Sequence, residues 1–218
     1  MIAALYEDGD ILVLDKPPGL ASQPGEGVRI SLVEAVERDY GFRPFLVHRL
    51  DKETSGCIVV AKSSPAAARW ARLVESRELG KTYRALVSGE SPGGSGSFSD
   101  RVPTRSGEKA ASTAWRRLAS FGGPAGTVLS YLELVLATGR MHQIRIHLAA
   151  HGLPVLGDER HGDFDLNKRL RREAGLRRLC LHARSLTLPG GELVVAPMPP
   201  HFAGLMSLCP GAPDPELP

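Results

Sequence analysis

A chain of 218 residues, 42% hydrophobic and 23% charged, is long enough to bury a substantial core and short enough to form one domain. No apolar run nears the ~20 residues that span a bilayer. MIAALYEDGD has no basic segment leading into an apolar one, so a cytoplasmic location without a membrane partner is expected. Cys57, Cys180 and Cys209 form no CxxC pair, which argues against a disulfide framework or a zinc site, and a net charge of +3 does not by itself mark a nucleic-acid binder.

In chain order, Ile11–Leu14 predicts a strand that stops at the turn Asp15-Lys16-Pro17-Pro18-Gly19. Ser31 and Glu34 have capping-box spacing and open a helix to about Tyr40. HRLDKETSG at 48–56 then sets five charged or titratable side chains between two apolar runs. Unpaired charge is costly inside a core, so this stretch is either a surface turn between strands or a site holding a carboxylate for a purpose. A strand over 57–61 follows. Ser64 then caps a helix with Pro65 at its first position and Trp70 and Val74 on one face. Lys81–Val87 alternates as a strand, and SPGGSGSFSD at 91–100 predicts a flexible loop between two lobes.

Strands over 111–118 and 127–137 lead through Thr138-Gly139-Arg140 into a helix over about 141–151, stopped by Gly152 and Pro154. A polar helix over 166–174, strands at 178–188 and 192–196, and a short helix from Pro199-Pro200 complete the order, with a disordered tail expected over 210–218. No repeat and no βαβ rhythm occurs. The expected class is α+β, with a largely antiparallel mixed sheet.

Several chemistries find no support in the spacing. His142 and His147 are five apart rather than the four of zinc-protease helices, and no Glu lies between His147 and His151. Asp158, Asp163 and Asp165 do not match a calcium loop. GxGxxG, GxxxxGK[ST] and GxSxG are all absent, so neither a nucleotide cradle nor an esterase elbow is present. Arg145 is the more telling charge. Flanked by Ile144, Ile146 and Leu148, it must snorkel to water or pair with a carboxylate. Taken alone, Asp51 reads as a turn residue and Tyr83 as core. The 140–184 segment is richer in basic than acidic side chains, with Lys168-Arg169, Arg171-Arg172 and Arg177-Arg178 close together. A solvated helix face and a phosphate-facing surface both fit that pattern.

HRLDKETSG resembles the HRLDxxTSG signature of RluA-type pseudouridine synthases. Val13–Leu20 (VLDKPPGL), Lys81–Ala85 (KTYRA), Thr138–His147 (TGRMHQIRIH), Leu156-Gly157-Asp158 and Leu181-His182-Ala183 resemble further segments of that family, in family order from about residue 10 to 200. The resemblance is to short members and implies one catalytic domain over 1–218, two lobes around the sheet in the pseudouridine synthase fold. It also implies isomerisation of uridine within transfer or ribosomal RNA, without metal or cofactor. A monomer is expected.

By the same resemblance, Asp51 starts the reaction, by attacking ribose or base or by acting as a base. Arg145 would pair with Asp51, and Tyr83 would stack on the extruded uracil. Arg49 would help displace that base from the RNA stack, while His48, Thr54 and Gly56 shape the site. Arg140, His142, Lys168 and Arg169 are assigned to RNA binding. His161 stands where relatives often have Tyr, and Pro189-Gly190-Gly191 where they often have His-Pro. Competing expectations are an RNA-binding or RNA-chaperone module with the same fold, and a carboxylate glycosidase, which needs a second acid and a positioned water.

Overall fold

The computed structural model describes residues 1–104 and 106–217. Along the chain lie β1 (Ala4–Glu7), β2 (Ile11–Lys16), α1 (Leu32–Tyr40), β3 (Phe45–Leu46), β4 (Ser55–Ala61) and α2 (Ser64–Glu75). Then follow β5 (Gly80–Ser88), β6 (Ser95–Phe98), β7 (Arg101–Thr104), β8 (Gly107–Ala110), β9 (Thr113–Gly122) and β10 (Val128–Leu136). The series ends with α3 (Gln143–Ala150), α4 (Phe164–Glu173), β11 (Leu181–Thr187), β12 (Leu193–Val195) and α5 (Pro200–Ser207). The chain divides into two compact units. The first combines Met1–Lys81 with Ala183–Pro197, and the second Thr82–His182 with Met198–Pro218.

In the first unit β2 and β4 pair antiparallel from Ile11↔Ala61 to Lys16↔Gly56, and both are apolar on the two faces. Strand β1 extends β2, β3 pairs with β4, and β12 pairs with β11, all antiparallel. One face packs Ile11, Val13, Cys57 and Val59 against Trp70, Leu79, Leu186, Val194 and Ala196. The capping box predicted for α1 forms: Ser31 Oγ accepts from Glu34 N, and Ser31 N donates to the Glu34 carboxylate at 2.7 Å. Helix α2 is capped by Ser63 rather than Ser64, with Ser63 Oγ accepting from Ala66 N at 3.3 Å. Two adjacent serines fit the signal, and the one whose hydroxyl reaches the third following N–H takes the role.

In the second unit β10 lies between β5 and β9, both antiparallel to it, and β6 joins the outer edge of β9. Strand β6 falls inside the stretch read from sequence as a loop. Phe98, buried there, stacks on His151 at 4.2 Å and on Trp115 at 5.8 Å, which explains why a Gly/Ser-rich segment is drawn into the sheet. The hairpin β7–β8 stands apart. The tail, expected to be disordered, instead returns against this unit. Tyr131 Oη donates to Pro215 O at 2.7 Å, and Met198 N donates to the Glu216 carboxylate at 2.7 Å. Tyr131 is fully buried in β10, and its hydroxyl draws this partner to it.

All three cysteines are buried free thiols, and burial pushes Cys57 and Cys180 up to about 12. Among the described residues no helix is long and apolar enough to cross a membrane. None of their His, Cys, Asp and Glu side chains group by three or more so as to hold a metal ion.

Candidate active site

The charged stretch answers as a turn, pinned at three successive points inside the first unit. Leu50 is buried, and its N–H and carbonyl both bond Ser22 Oγ, at 3.2 and 2.7 Å. Lys52 O accepts from Gly19 N at 2.9 Å and from Lys16 Nζ at 3.0 Å. Thr54 N donates to Asp51 O at 3.1 Å and closes the turn. Half-buried Asp51 therefore sits between fixed neighbours, while the adjacent Arg49 and Lys52 are exposed. Gly56 is a residue of β4 rather than of the turn. Its φ of +102° lies in the region L-residues avoid, so glycine is required opposite Lys16.

His48 accepts at Nε2 from Val59 N at 3.0 Å, which only a neutral imidazole nitrogen can do. Burial, and then the Lys81 ammonium, hold its pKa well below the ordinary value, against a backbone hydrogen bond with Arg49. His48 is thus a strut between the turn and β4. Lys81 itself is pulled down to about 8 by burial.

Sequence reasoning did not single out Lys16. Its side chain is fully buried, and Nζ donates to Pro17 O, Leu20 O and Lys52 O at 2.8 to 3.0 Å. Burial lowers its pKa to about 7, opposed by the nearby charges of Glu53, Asp51 and Asp15. One ammonium therefore ties the turn after β2 to the turn carrying Asp51. The signal was present in the sequence as a lysine ending an apolar strand, but burial decides the role.

The second unit holds the other named residues. Tyr83 is a buried residue of β5 opposite Leu134 of β10. Arg84, the next residue, pairs with Glu133 at 2.9 Å and lies over the Tyr131 ring. Arg145 on α3 has Asp158 as a partner: Nε and Nη2 each donate to its carboxylate at 2.7 Å, a buried two-pronged pair. Burial works to raise the Asp158 pKa. The Arg145 hydrogen bond and the His161 and Arg160 backbone N–H groups outweigh it and hold the carboxyl below its usual value.

The Asp158 turn is itself clamped. Asn167 on α4 accepts from Gly157 N and donates to Asp158 O, at 2.9 and 3.0 Å. A Cβ on Gly157 (φ +74°) would meet Arg178 O at 2.1 Å. Helix α3 starts two residues later than expected because His142 takes a left-handed conformation (φ +54°), with its Nδ1 3.0 Å from His161 Nε2. Gln143 accepts from Thr138 Oγ1 and Arg140 N and donates to Ser112 O and Thr113 Oγ1, so it fixes the loop that carries exposed Arg140. His147 is buried with Nδ1 2.9 Å from Thr113 Oγ1, a packing role.

The structure therefore gathers His48, Asp51, Thr54 and Gly56 with Lys16 in the first unit. In the second it gathers Arg140, His142 and Arg145 with Asp158 and His161. Lys168 and Arg169 lie exposed on α4, whose inner face buries Leu166, Asn167 and Leu170.

A family model described as RNA pseudouridylate synthase matches residues 10–150. Ribosomal large subunit pseudouridine synthase D of Neisseria meningitidis serogroup B is 35% identical over 230 residues, covering 94% of this chain and 60% of its own length. Ribosomal large subunit pseudouridine synthase C of Escherichia coli K12 is 36% identical, over 89% of this chain and 66% of its own length. The chain thus spans about three fifths to two thirds of these relatives. Among solved structures, Human RNA Pseudouridylate Synthase Domain Containing 1 superposes with a TM-score of 0.77 at 26% identity, covering 96% of this chain and 88% of that one. A match running from β2 to the end of α3, through the Asp51 turn, Tyr83 and Arg145, places the chain in the RNA pseudouridylate synthase family.

Proposed function

We propose that the protein is a cytoplasmic RNA pseudouridine synthase, an isomerase that needs no cofactor, and that ribosomal RNA is the first substrate to test, ahead of transfer RNA. The observation that carries this reading is the family match across residues 10–150, a range that includes the pinned Asp51 turn.

In the proposed reaction the bond from ribose C1′ to uracil N1 breaks and the base turns within the site. A bond then forms from C5 to C1′, and the C5 proton leaves to solvent while N1 gains one. Asp51 starts this sequence as an ionised carboxylate, by attack on ribose or base or by proton removal. Arg145, oriented by Asp158, is its proposed charge partner, Tyr83 the platform for the extruded base, and Arg49 the side chain that fills the vacated stack. Arg140, His142, Lys168 and Arg169 are proposed to hold the RNA. The neutral His48, Thr54 and Gly56 keep the turn in place.

Tritium release from ribosomal RNA labelled at uridine C5 tests the proposal. Release with no free uracil is the expected result. RNA binding without release would make the chain a binding module, and liberated uracil would make it a glycosidase.

A further inference from the structure

Beside the Asp51 turn, wholly within the first unit, lies a pocket of about 310 Å³ whose lining includes none of the residues given a role in the proposed reaction or in RNA binding. Two segments, Pro18–Ala21 and Gly27–Ile30, form its walls together with Lys52. The walls are fixed. Leu20 O and Lys52 O share the buried Lys16 ammonium, and Gly19 N is bonded to Lys52 O. On the other side Leu32 N donates to Ala21 O at 2.7 Å, and Ala21 bridges to Ser31 at the start of α1. A pocket held at both edges keeps its shape without a ligand, which lowers the cost of binding one.

Its chemistry is two-sided. Leu20, Val28 and Ile30 supply apolar surface, with Ile30 38% exposed although it is a large hydrophobic residue. Arg29 and Lys52 supply two exposed cations at the rim. The pocket opens to solvent, so a chain could enter and leave it, and its volume is at the lower end of small-molecule sites, the size of one nucleotide. Apolar walls beside a pair of cations match a base or ribose carrying a phosphate. Lys52 directly follows Asp51 in the chain, so a nucleotide held here neighbours the one presented to that carboxylate.

We propose that this pocket is a subsite for a nucleotide adjacent to the target uridine, with its phosphate on Arg29 and Lys52 and its base or ribose against Leu20, Val28 and Ile30. The ligand's identity rests on the isomerase reading; the two cations and the walls do not.

The test uses the full chain and a fluorescent single-stranded tetrauridylate, with one linkage at a time replaced by a neutral methylphosphonate. Neutralising one particular linkage should weaken binding to the wild type about three- to tenfold, and should have no effect on the Arg29→Gln/Lys52→Gln variant. The Leu20, Val28 and Ile30 methyl resonances should shift when the wild type binds. The double variant should raise KM for labelled RNA while leaving kcat within twofold, as loss of uniform binding requires. Absence of wild-type binding, equal linkage effects in both proteins, or unshifted methyl resonances would overturn the subsite. So would an equally tight complex with tetraglutamate, which would make the pocket a site for acidic peptides. If wild type releases no tritium but the linkage coupling persists, the subsite stands and the isomerase reading falls.

Discussion

Arg145 and Asp158, both buried, meet at 2.7 Å at two points, and removing Asp158 strips Arg145 of this two-pronged acceptor and the Arg160 and His161 N–H groups of their carboxylate. Asp158→Ala should therefore cost about 3–5 kcal/mol in urea unfolding, far more than a surface pair. Sequence reasoning stated half of this: an Arg flanked by isoleucines needs a carboxylate. Asp158 lies thirteen residues away across a clamped turn, and packing rather than spacing brings it to Arg145. Lys16 makes the converse case. Its folded pKa of about 7 lies below the ordinary lysine value, so between about pH 7 and 10 the unfolded chain binds the extra proton and stability rises with pH. The wild type should gain on the order of 2 kcal/mol between pH 7 and 9 relative to Lys16→Met, read by denaturant unfolding at each pH. A pH-independent difference between the two would show that the amine is not desolvated in the fold.

Elements with strong local signals were legible. The capping box announced α1, and continuous apolar runs announced β2 and β4, because burial on both faces leaves that mark in sequence. Short edge strands were not legible. β1, β3 and β6 have two to four residues each and form because a longer strand is there to pair with. His142 ends the TGR turn in a left-handed conformation that favours glycine, and its contact with His161 has no periodic signature. Helix α4 reads both ways at once. Leu166 and Leu170 give it a core face, and Lys168 and Arg169 project from the exposed face. If that face meets RNA, Lys168→Gln/Arg169→Gln should flatten the slope of log binding constant against log salt by about one per lost phosphate contact. An unchanged slope would leave α4 as a solvated helix.

Across the molecule, the motifs that resembled the family were divided by the fold between two units, with the Asp51 turn in one and Tyr83 and the Arg145–Asp158 pair in the other. The last residues also have a share in stability. Removing residues 211–218 takes away Pro215 and Glu216, leaves the buried Tyr131 hydroxyl without that acceptor, and should cost about 1–3 kcal/mol. For a chain of this size that lowers Tm by several degrees, measurable by calorimetry. The central claim concerns Asp51, and its most direct test is single-turnover tritium release from C5-labelled RNA by wild type and Asp51→Asn, with RNA affinity and unfolding measured on both. The account predicts that the variant folds and binds RNA within about threefold of wild type, yet loses at least about a thousandfold in rate. A variant that still releases tritium within tenfold of wild type would contradict it and move the chemistry away from Asp51.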